Sequence, residues 1–120
     1  MKYIIFLLFF QTILFSQVKS IYAPVEKQMR LIPEQQTKSA QEIASYIQTN
    51  FKGEELQIKA AYFYVISTIS YDVTYNFSTE LFSSDEDFVT KTISTKKGVC
   101  IHYAKFFKAI IDKLGYQCQI

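Results

Sequence analysis

Histidine occurs once in this chain, and there are only two cysteines, two prolines and three glycines among 120 residues. Each scarcity closes off a class of function. Gly53, Gly98 and Gly115 stand far apart and make no phosphate-cradling glycine loop. The lone His102 lies two residues past Cys100, and i, i+2 side chains on a helix face apart, so the cysteines and histidine have no metal-ligand spacing. No cofactor is implied. Charge of one sign is also missing. Thirteen basic residues against eleven acidic ones leave a formal +2, too little to argue for nucleic acid or an anionic membrane surface. There are no internal repeats and no low-complexity tracts.

What is present is apolar. Apolar residues make up 49% of a chain with room for one domain, enough for a packed core. Residues 1–20 read as a secretory signal: Lys2 is the positive start, and residues 3–15 are an apolar run broken only by Gln11 and Thr12. Ser20 fits the residue before cleavage, with Ser16 as the alternative. The run is short for a membrane span, so an uncleaved anchor is the lesser reading. Loss of Lys2 and Lys19 takes the charge from +2 to 0. The mature protein is therefore expected to be exported, secreted or periplasmic, with no membrane attachment.

Residues 21–38, with Pro24 and Pro33, read as a linker without strong periodicity. Ser39 then opens a helix, with Glu42 completing a capping box and Ala40, Ile43, Ala44, Ile47 and Phe51 forming a stripe. After Gly53, Glu54 and Glu55 start a helix that is apolar on nearly all sides from Leu56 to Ile69, which predicts central burial. Its Tyr62, Phe63 and Tyr64 are expected in the core rather than as a ligand platform. Residues 71–83 read as a loop with short extended pieces, and Asp72 as a turn-forming carboxylate. Ser84 caps a short helix with Asp85, Glu86 and Asp87 in its first turn and Phe88, Val89 and Ile93 inward. Lys96 and Lys97 follow as solvated surface beside the next element.

That element centres the chain. From Cys100, apolar residues recur at Ala104, Phe107, Ile111 and Leu114, with Tyr103, Phe106 and Ile110 widening the stripe and Gly115 at the end. Cys100 thus occupies the first turn of a helix, where the dipole and backbone N–H groups stabilise a thiolate. On spacing alone a second reading stays open, a small apolar residue closing a core helix. Residues 116–120 alternate and read as the start of a strand. A helix from Cys100 to Leu114 spans about 21 Å, and a returning strand regains about 10 Å by Cys118. The pair would remain about 10 Å apart, beyond the roughly 7 Å Cα limit of a disulfide. Cys118 is expected as a core strand residue. His102 points about 200° around the helix from Cys100, which disqualifies it as the partner base.

The run Lys97-Gly98-Val99-Cys100, followed by Tyr103-Ala104, Phe106-Phe107 and Leu114-Gly115, resembles the nucleophile segment of the transglutaminase-like superfamily. In that family a short G-V-C motif carries the catalytic cysteine at a helix head, with a Y-A pair beyond it. Ile58 through Val65 and then Ile69-Ser70-Tyr71-Asp72 are similar to the family's preceding helix and its I-x-Y-D ending. Tyr64 stands where many members carry tryptophan, and Ile101-His102 fills positions often polar or acidic. The resemblance runs from Ser39 to the end of the chain. It implies an α+β, papain-like fold, seen here as its N-terminal helical part, in which the cysteine helix packs on an antiparallel sheet. It further implies acyl transfer: Cys100 attacks a peptide or glutamine-type amide of a protein or peptide substrate, and the thioester passes to water or an amine. The family's His and Asp come from later strands, so residues 39–120 are expected to be a part cut off before both. The alternative from another class is a non-catalytic binding or scaffold module of the same fold, with Cys100 as a structural thiol.

Overall fold

The computed structural model describes residues 20–76 and 81–120. The signal-peptide reading falls on residues 1–19 and so lies outside the described residues. The architecture is mostly helical with one small parallel sheet, an α+β arrangement. Helix α1 spans Ala23–Arg30, followed by a 3-10 turn at Glu34–Gln36; α2 spans Ala40–Asn50 and α3 spans Glu54–Thr68. Then come strand β1 (Ser70–Tyr71), helix α4 (Asp85–Thr95), strand β2 (Lys97–Gly98) and helix α5 (Cys100–Leu114). No helix among the described residues is long and apolar enough to cross a membrane.

Local chemistry sets the helix ends. Ser39 Oγ accepts the Glu42 amide at 3.2 Å, while the Glu42 carboxylate accepts the Lys38 amide at 3.1 Å. The return bond of the capping box is thus made one residue early. Ser84 Oγ accepts the Asp87 amide at 3.1 Å, and three carboxylates crowd the positive end of α4. Gly115 closes α5 at φ 88°, a left-handed conformation costly for other residues, and the Tyr116 amide returns to the Ile111 carbonyl at 3.2 Å. Lys96 takes the same left-handed turn at φ 54° without being glycine, ending α4 so that β2 can begin.

The core lies among α2, α3 and α5. Ile43, Ala44 and Ile47 from α2, Ala60, Ala61 and Val65 from α3, and Phe106, Ile110 and Ile111 from α5 are almost wholly buried. The single methyls of Ala44, Ala60 and Ala61 let the helix backbones approach closely. Helix α5 is the hub, packed on α2, α3, α4 and β2. Tyr64 meets Phe106 edge-to-face at 6.1 Å between ring centroids.

Four sequence expectations change. Residues 21–38 are not an aperiodic linker, since α1 packs on α3 and buries Val25 and Met29. One i, i+4 pair is too short a period to stand out, and a helix of two turns owes its stability to tertiary packing. Helix α3 is not buried all round: Tyr62 is 53% exposed and Ile66 47%. Phe63 is half-buried beneath the Arg30 guanidinium, 5.0 Å from its ring, so of the aromatic trio Tyr64 alone is fully a core residue. In α4 Phe88 and Val89 are buried and Ile93 packs half-buried on the core as expected, and Thr92 is buried with them, its hydroxyl donating to the Phe88 carbonyl. Residues 116–120 pair with no strand among the described residues, although Tyr116 and Cys118 do pack on the core.

Candidate functional site

Strand β1 pairs with β2 in parallel, Ser70 opposite Lys97 and Tyr71 opposite Gly98. The Ser70 amide donates to the Lys96 carbonyl at 2.9 Å and the Asp72 amide to the Gly98 carbonyl at 2.8 Å. A parallel pair needs a crossover, and α4 supplies it. The pairing anchors the residue two places before Cys100. Val99 follows in extended conformation as the N-cap, and α5 begins at Cys100, with the His102 and Tyr103 amides both returning to the Val99 carbonyl.

Valine has no side-chain acceptor, so the cap is completed from the other direction. His102 Nδ1 accepts the Val99 amide at 3.0 Å, the return half of a capping box with imidazole in the usual place of a carboxylate. The imidazole is 4% exposed. It stacks on Phe88 at 4.5 Å and meets the edge of Tyr75 at 4.7 Å. A Cβ at residue 98 would lie 2.3 Å from His102 Cβ and Cγ, which is the physical reason for the glycine of the G-V-C run.

Cys100 itself is exposed. The face of α5 turned to the core runs through His102, Phe106, Ile110 and Leu114 with Ile111, rotated from the stripe that begins at Cys100. The thiol is therefore not closing a core helix; it stands outside while the residue two places on is locked inside. Cys118 is half-buried, and both cysteines are free thiols. Among the described residues no group of three or more His, Cys, Asp or Glu could hold a metal ion.

The two sequence motifs meet here. Tyr103 Oη donates to the Ile69 carbonyl at 2.8 Å, the Tyr71 and Tyr103 rings stack at 6.5 Å, and Asp72 bonds Gly98 through its backbone. The Asp72 carboxylate is the turn-former its position indicated: Oδ1 accepts from the Thr74 hydroxyl at 2.7 Å and the Thr74 amide at 2.9 Å. These bonds, the hydroxyl first, hold its carboxyl below the usual carboxylate range, with Lys97 and His102 adding smaller electrostatic contributions. Asp72, Tyr75, Lys91, Thr95, Lys97 and His102 share a cleft of about 140 Å³. Cys100 does not line it, nor the groove of about 410 Å³ between α2, α4 and α5.

Sequence reasoning placed Cys100 at the helix head and excluded His102 as its base. It missed what His102 does instead. The signal was present, since an acceptor at the third helical residue is a capping pattern and the 102–106–110–114 spacing is a helix face. No curated protein and no solved structure matches the chain. The family model described as the transglutaminase-like superfamily matches residues 41–120, two thirds of the chain and all of the site, and the protein belongs to that superfamily.

Proposed function

We propose that Cys100 is the nucleophile of a thiol-dependent acyl transfer on a protein or peptide amide, carried out by an exported domain of papain-like fold. The observation that carries the reading is the exposed thiol at the first turn of a helix whose next core residue is fixed from behind. The family's general chemistry is thiol-dependent acyl transfer or proteolysis. In the step itself the Cys100 thiolate adds to the amide carbonyl carbon, and the C–N bond breaks. The amine leaves with a proton, and Sγ holds the acyl group as a thioester. Water then yields an acid, or a second amine a new amide, and the thiol is restored. The base and orienting carboxylate are the family's His and Asp, not His102, whose Nδ1 is committed to Val99.

The reading as a non-catalytic module has one observation behind it: among the described residues no acid–base side chain hydrogen-bonds the Cys100 thiol. Alkylation separates the two. In the folded protein at about pH 7, iodoacetamide should label Cys100 faster than Cys118, and faster than Cys100 in the unfolded chain. Exposure alone cannot produce the second difference. A folded rate at or below the unfolded rate would make Cys100 a structural thiol.

A further inference from the structure

We propose that His102 is the positioning residue of the nucleophile turn and holds it only as neutral imidazole, so that protonation of His102 releases Cys100 from its set geometry. The inference rests on the reading of Cys100 as the nucleophile. Its starting point is the direction of one bond. Val99 N–H is the donor and His102 Nδ1 the acceptor at 3.0 Å, so Nδ1 carries a lone pair and the ring proton sits on Nε2. Imidazolium has donors at both nitrogens and no acceptor. Protonation would set two N–H groups against each other across that contact.

The ring has little room to escape. Phe88 covers one face and Tyr75 stands edge-on, and Gly98 is already so close that a Cβ there would overlap His102 Cβ. Relief must come from the backbone of Val99, the residue before Cys100. Charges of both signs surround the ring. Lys97 on β2 and Lys91 on α4 line the same cleft, and Lys105 of α5, paired with Asp85 of α4, lies over the Phe88 ring at 4.9 Å. Among the described residues lining the cleft, Asp72 is the opposing carboxylate, kept ionised by its bonds from Thr74, and Tyr75 is a further titratable neighbour. The helix start disfavours a cation at this position. Asparagine or aspartate would make the same cap without titrating in the physiological range; histidine makes it titratable.

The test uses the folded protein and three readouts. Imidazole ¹⁵N shifts of wild type should show Nδ1 unprotonated at neutral pH, and the Val99 amide should shift in the same titration as His102. The Cys100 alkylation rate, corrected for thiolate fraction, should fall about tenfold as His102 is protonated, the order set by loss of one capping bond. His102→Asn keeps an acceptor near the Nδ1 position, so the rate should stay near wild type and lose the acid limb. His102→Phe removes the acceptor and should be slow at every pH. Nδ1 protonated at neutral pH, an unchanged acid limb in His102→Asn, or wild-type rates in a folded His102→Phe would each overturn the proposal. Should His102→Phe fail to fold, the wild-type shifts and the asparagine variant still decide it. If Cys100 is no faster folded than unfolded at any pH, the nucleophile reading falls. The ¹⁵N and Val99 titrations still judge the cap by themselves.

Discussion

The Tyr103 hydroxyl donates to the backbone carbonyl of Ile69 at 2.8 Å, joining α5 to the end of α3 across 34 residues of sequence. The same tyrosine ring stacks on Tyr71, so one side chain bridges both family motifs. Tyr103→Phe keeps the stack and removes the bond. We expect a loss of about 1 kcal/mol, read as a lower urea midpoint at unchanged slope.

Gly98→Ala tests the closeness of β2 to His102. The added methyl meets carbon at 2.3 Å, and the imidazole is confined by Phe88 and Tyr75. Overpacking without a route of relief should cost about 3 kcal/mol, at the upper end for an added methyl. Gly115→Ala meets nothing within 4 Å and has only its φ of +88° against it. That variant should lose about 1 kcal/mol. Equal effects at the two sites, measured by denaturant unfolding, would contradict this account.

Met29→Ala asks whether α1 belongs to the folded unit. Met29 is 2% exposed, and Gln28 and Tyr46 exchange hydrogen bonds that tie α1 to α2. Truncation of a buried methionine should cost about 3 kcal/mol in global stability. A change below about 0.5 kcal/mol, the size expected at an unremarkable surface position, would return residues 21–38 to the status of a tether.

The Asp72 carboxyl should titrate below the ordinary carboxylate range, chiefly because the Thr74 hydroxyl bonds its charged form. A carboxyl pKa depressed by folding adds stability that is present above the unfolded value and lost as pH falls through the folded one. Thr74→Val removes the hydroxyl bond and should move the titration up toward the ordinary value while leaving the Thr74 amide bond. Carboxyl NMR shifts across the acid range would read it. No movement in Thr74→Val would mean that the turn, rather than the hydroxyl, sets the shift.

Much of the local order is written in short stretches of sequence. Ser39 and Ser84 cap α2 and α4, Gly115 ends α5, and Cys100 stands at a helix head, because caps and turns depend on residues within a few positions of one another. The family motifs were legible for the same reason, being short strings. The tertiary structure alone decided which face of α5 is inside. Apolar periodicity leaves the stripe ambiguous by a third of a turn when Tyr103, Phe106, Phe107 and Ile110 all qualify. Packing against α2, α3 and α4 resolved it by burying His102 and turning Cys100 out. The parallel pairing of Ser70–Tyr71 with Lys97–Gly98 is likewise invisible in sequence, since two-residue strands have no period and form only when α4 brings them together.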